Sequence, residues 1–70
     1  MYAVIELQKS SDTQLATLAT VYQTLNEAYN KWHTILAYAA VSTLPVHGAV
    51  ILSGTGDIIA TEHFEHKAEE

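Results

Sequence analysis

Thr24-Leu25-Asn26-Glu27 fixes where a helix can begin in this chain. In a capping box the Thr hydroxyl accepts from the amide three residues on, and the Glu carboxylate reaches back to the Thr amide. Two of the amides that a helix start leaves unpaired are then satisfied locally. A fresh start at Thr24 means that the chain before it is not part of the same helix. That bears on Leu15 to Tyr22, whose three-residue apolar repeat and Ala/Leu content suit a helix. Its Thr17, Thr20, Val21 and Tyr22 are β-branched or aromatic and suit a strand. The capping box decides for a strand; the fallback is a longer helical segment with only three strands.

The other elements follow from periodicity. Tyr2 to Gln8 alternates, with Tyr2, Val4, Glu6 and Gln8 on one side and Ala3, Ile5 and Leu7 on the other, as in a strand. Lys9-Ser10-Ser11-Asp12 supplies turn chemistry. From Leu25 to about Val41, the residues Leu25, Ala28, Tyr29, Trp32, Ile35, Leu36 and Ala39 form one helical face. Ala37, Tyr38, Ala40 and Val41 carry apolar character round the rest of the second half, and Pro45 disfavours helix at the residue before it. Val46 to Ser53 contains the continuous run Ala49-Val50-Ile51-Leu52, expected of a strand buried on both faces. Gly54-Thr55-Gly56-Asp57 is a turn, and Ile58 to Phe64 returns as its hairpin partner. The expected fold is α+β, in the order ββαββ: a four-stranded, largely antiparallel sheet with one helix packed on one face. Residues 1–64 make the single domain, and 65–70 an acidic, frayed tail.

Composition narrows the function. Seventy residues without cysteine offer neither a disulfide nor a thiolate metal site. A domain of this size is marginal on its own, which turns attention to association as a support. Net charge is −5, with three lysines and no arginine. That balance is poor for phosphate or base-edge contacts and argues against nucleic-acid binding. The longest apolar stretch, around Ile35 to Val41, is far short of the roughly 20 residues of a membrane span. The start, Met1-Tyr2-Ala3-Val4, lacks a basic signal-peptide region, so a cytoplasmic protein is expected.

No residue pattern identifies catalysis. His63-x-x-His66 has helical ligand spacing but falls at a strand end, where residues three apart face opposite ways. Glu62, His63 and Glu65 are neighbours without an identifiable nucleophile, and Gly54-x-Gly56 belongs to a hairpin, where no phosphate cradle forms. No catalytic, cofactor or metal site is predicted. His33 on the helix and His47 at the start of the third strand remain as ligand candidates. Tyr29 and Trp32, at helical spacing on the apolar face, are read as core.

The run Lys31-Trp32-His33-Thr34-Ile35-Leu36-Ala37-Tyr38-Ala39-Ala40-Val41-Ser42, followed by Leu44-Pro45-Val46-His47-Gly48-Ala49-Val50-Ile51-Leu52, resembles a group of short uncharacterised proteins encoded in phages and prophages of Gram-positive bacteria. Tyr2-Ala3-Val4-Ile5-Glu6-Leu7-Gln8 looks like their opening strand. The chain departs from them at Thr13-Gln14-Leu15-Ala16, where they carry a Gly/Asp-rich turn and a clear strand. The resemblance implies a phage-related context and no mechanism.

The expected function is a small non-enzymatic protein–protein interaction module that associates with itself, most simply as a homodimer. A histidine-based metal- or small-ligand-binding protein using His33 and His47 is the alternative. Both faces of the sheet carry apolar side chains, and one helix can cover only one of them. Tyr2, Val4, Tyr38 and Val41 are the candidate interface residues.

Overall fold

The computed structural model describes residues 1–11 and 14–66. Four strands and a helix follow as β1 (Tyr2–Ser11), β2 (Gln14–Tyr22), α1 (Leu25–Ala40), β3 (Val46–Ser53) and β4 (Ile58–Glu65). The strands form one antiparallel sheet in the order β2-β1-β3-β4. The fold is therefore α+β in the expected ββαββ order, and Leu15 to Tyr22 is a strand. The capping box is formed as its residues dictate. The Glu27 amide donates to Thr24 Oγ1 at 3.2 Å, and the Thr24 amide donates to Glu27 Oε1 at 3.4 Å. Thr24 itself is extended, so the chain enters the helix from a strand-like conformation.

Two boundaries move. β1 continues through Lys9 and Ser10 to Ser11, paired with β2, where the polar run predicted a turn. The rest of that turn lies outside the described residues. At the other end Glu65 pairs with Val46. His66 donates its amide to the Pro45 carbonyl at 2.8 Å, and its Nε2 meets the Ala39 carbonyl at 2.8 Å. These two residues, assigned to a frayed tail, are tied to the end of the helix and to the start of β3. Residues 67–70 of that tail lie outside the described residues.

The register sorts side chains between faces. Val4 opposes Ile51, Glu6 opposes Ala49 and Gln8 opposes His47, so these six share the helix-covered face. Val4, Ala28, Ile35, Ala39, Ala49 and Ile51 are the buried apolar residues. Tyr2, Tyr22, Tyr29, Trp32, Leu36, Ile59 and Ala60 pack round this core. Trp32 also pins the helix to the sheet, because its Nε1–H donates to the Ala49 carbonyl at 3.1 Å. With so few side chains fully removed from water, the core of the single chain is small, as the length predicts.

The β3–β4 turn uses one of its two glycines for conformation. Gly56 has φ +95°, and its amide donates to the Ser53 carbonyl at 3.0 Å. A bulge at Ile59 then shifts the register between Ile51 and Leu52. Ile58 is left exposed while Ile59 turns towards the core.

Candidate functional site

The face of the sheet opposite the helix can be read in four rows. Val21, Ala3, Leu52 and Ile58 make the first, and Ala19, Ile5, Val50 and Thr61 the second. Thr17, Leu7, Gly48 and His63 make the third, and Leu15, Lys9, Val46 and Glu65 the last. The first two rows carry no charge. Charge enters only at one end, through Lys9 and Glu65, with His63 beside them. A half-solvated antiparallel sheet alternates apolar-in with polar-out. Here Ile5, Leu7, Val50 and Leu52 occupy the positions that such a sheet gives to polar residues. With strands about 4.8 Å apart and residues about 3.3 Å apart, the four rows, with the opposite-facing residues between them, span a footprint of about 500 Å². About half of that footprint belongs to the two uncharged rows, and the rest sets Leu7, Leu15 and Val46 among Lys9, His63 and Glu65.

The edge strand β2 is open on its outer side. Leu15, Leu18 and Val21 are each at least 60 % exposed. Leu15 and Val21 lie on the helix-free face and Leu18 on the other, so β2 shows large apolar side chains on both sides. Tyr22, at its end, is the one β2 residue that packs against the core.

Beneath the helix, at the other end of β1 and β3, lies a polar cluster. His47 is 5 % exposed, and its Nε2 is 2.7 Å from Glu6 Oε2. An ionised carboxylate only accepts, so the shared proton belongs to His47 Nε2. Gln8 Nε2 donates to the same oxygen at 2.9 Å. His47 Nδ1 is buried and has no hydrogen-bond partner among the described residues. Burial alone would raise the Glu6 carboxyl. The hydrogen bonds from His47 and Gln8, with the charges of His47 and Lys31, outweigh it and hold Glu6 below its ordinary value. The cluster holds β1 to β3 through groups 41 residues apart in sequence.

The residues expected to act at a site are scattered. Val4 is 1 % exposed, in the core under the helix, and Tyr2 packs beside it. Neither belongs to an interface on the helix-free face. The two sides of β1 are those of the alternation, but the helix takes the Tyr2–Val4 side, and Ile5 and Leu7 are the residues left open. Tyr38 and Val41 are 69 % and 78 % exposed on the outside and at the end of the helix. His33 and His47 have separate partners: His33 stacks on Tyr29 with centroids 6.0 Å apart and meets the Trp32 ring edge-on. His63 pairs with Glu65 at 3.1 Å on the surface, an exposed contact of little energetic weight. Among the described residues no group of three or more His, Cys, Asp or Glu side chains could hold a metal ion. No described helix is long and apolar enough to cross a membrane.

A shallow depression of about 200 Å³ lies at the Tyr2–Ser53 end of the sheet, lined by Met1, Tyr2, Ala3, Val21, Ser53 and Gly54. Small-molecule sites run from about 300 Å³ upwards, so this one falls short. No protein-family model, curated protein or solved structure matches the chain.

Proposed function

We propose that this chain is a small non-enzymatic interaction module that associates with itself, and that a second copy covers the helix-free face of its sheet. The observation that carries the proposal is the uncharged apolar surface formed by Ala3, Ile5, Val50, Leu52 and their row neighbours. A second copy fits it by size: two footprints of about 500 Å² bury about 1,000 Å² together, the lower bound for a specific interface. It fits by symmetry too, since a two-fold pair presents the same patch from both sides. Each copy also brings a small core, to which the buried face would add. A setting in a phage or prophage rests only on the sequence resemblance of Tyr2 to Gln8, Lys31 to Ser42 and Leu44 to Leu52.

Sedimentation at micromolar concentration tests this. The wild-type chain should sediment at twice its 7.7 kDa mass or more. Leu7→Lys, which places a charge at the centre of the face, should at least halve that mass while leaving the circular-dichroism spectrum unchanged. A wild-type monomer that stays folded through the dilution series would overturn the proposal.

A further inference from the structure

We infer that β2 is a strand-addition edge and that its occupant is β2 of a second copy, paired antiparallel about a two-fold axis at Leu18. The two outer strands of the sheet are unlike. β4 carries Glu62, His63 and Glu65 and is interrupted by the bulge at Ile59. Charged side chains and bulges are the devices that keep an edge from pairing. β2 carries no charge, and the one irregularity in its pairing with β1 lies at its Gln14 end, between Lys9 and Ser11. Its nine residues, Gln-Leu-Ala-Thr-Leu-Ala-Thr-Val-Tyr, include no charge, proline or glycine. Its register with β1 runs unbroken from Tyr22 to Leu15. One side of its backbone is therefore a row of amides and carbonyls that no described strand pairs.

Charge admits a second copy as the occupant. The chain carries −5, and none of its eight acids or three lysines lies in β2. Two copies can meet there without placing like charges opposite each other.

Register names the geometry. Two copies of one edge run antiparallel about a two-fold axis perpendicular to the sheet. Directly opposed residues either both turn their backbone groups towards the partner or both turn them away, so their numbers have the same parity and sum to an even value. A sum of 36 gives the full nine-residue overlap, with Leu18 facing Leu18 and Leu15 facing Val21. In the registers two residues either way, Leu18 faces Ala16 or Thr20 instead. The centred register alone gives each large exposed side chain of β2 an apolar partner, on both faces of the sheet. The result is a continuous eight-stranded sheet with both helices on one side.

For its occupant this inference rests on the self-association proposed above, but the contact is a different one. Leu18 lies on the helix side of β2, so a face-to-face contact does not bring two copies of it together. With both contacts made, four copies assemble, and Leu7→Lys should reduce them to the edge-paired dimer.

Cysteine cross-linking in this cysteine-free chain tests the register. Opposed residues across an antiparallel pair lie within disulfide reach, whereas two copies of residue 16 in the centred register are about 13 Å apart along the strands. Under mild oxidation Leu18→Cys should give at least roughly tenfold more covalent dimer than Ala16→Cys or Thr20→Cys alone. A mixture of the last two should cross-link. Equal yields at all three positions, or none at Leu18→Cys, would overturn the inference. If Leu18→Cys cross-links while Leu7→Lys leaves the mass unchanged, the edge stands and the face contact falls. If Leu7→Lys halves the mass and Leu18→Cys stays unlinked, the reverse holds.

Discussion

Gly48→Ala should destabilise the domain, although glycine to alanine in a strand is ordinarily favourable. An alanine normally gains about 0.4–1 kcal/mol where the backbone accepts it, by narrowing the unfolded ensemble. At position 48 a Cβ would lie 2.5 Å from His63 Cβ, 2.6 Å from the Glu62 carbonyl oxygen and 2.8 Å from His63 Cα. Ordinary contact begins near 3.4 Å, so β4 would have to retreat by close to 1 Å. Overpacking of this kind costs about 1–3 kcal/mol, and the stretched β3–β4 hydrogen bonds add to it at about 1 kcal/mol each. Set against the alanine gain, the net loss is about 2 kcal/mol. Total stability for 70 residues is about 4–10 kcal/mol, so the loss is a large share. Thermal melts at matched protein concentration should show a drop of about 8–16 °C. His63→Gly should not rescue the variant, because two of the three obstructing atoms are backbone. Gly54→Ala, where the nearest atom is 3.2 Å away and φ is not positive, is the mild control. A Gly48→Ala protein that melts at or above the wild type would refute the reasoning.

Thr24→Ala should cost about 1 kcal/mol by removing the acceptor for the Glu27 amide, and Thr24→Ser should restore most of it; urea unfolding measures both. Because the folded Glu6 carboxyl is held below its ordinary value, the unfolded chain binds the proton first as acid is added. The contribution of Glu6 is thus present above the ordinary carboxylate range and is lost as pH falls through the lowered one. The urea midpoint of the wild type should fall more steeply in acid than that of Glu6→Gln, and parallel pH profiles would contradict this.

Much of the fold was legible because the signals were local. The capping box separated β2 from the helix, and alternation in Tyr2 to Gln8 divided the strand correctly into two faces. Which face the helix would take was not legible. Local preference points the other way, because Ala3, Ile5 and Leu7 are all apolar whereas Tyr2 and Val4 share their side with Glu6 and Gln8, and yet the helix covers the Val4 side. Glu6 and His47 were out of reach for another reason. They meet through the β1–β3 register, which nothing within either strand specifies. The available sign was two polar residues, Glu6 and Gln8, alternating with Val4 on a core-facing side. Lys9 to Ser11 read as a turn on composition, yet pairing with β2 carries the strand through it.

The order β2-β1-β3-β4 links the open face to the bare edge. β1 is antiparallel to both β2 and β3, so β2 and β3 run parallel, with β1 between them. α1 is therefore a crossover of the βαβ kind that passes over an inserted strand. Such crossovers are right-handed in nearly all proteins, which leaves the helix one face of the sheet once the strand order is set. A 16-residue helix is about 24 Å long and about 10 Å across, enough to lie over the middle of a sheet that is about 19 Å wide. Laid there, it lies mainly on β3 and β1 and reaches β4 and the Tyr22 end of β2, while the centre of β2 stays exposed. Leu18 is exposed on the helix side for that reason, while Leu15 and Val21 are exposed because no described helix or strand lies over the other face. The same crossover thus leaves uncovered both surfaces to which a second copy is assigned.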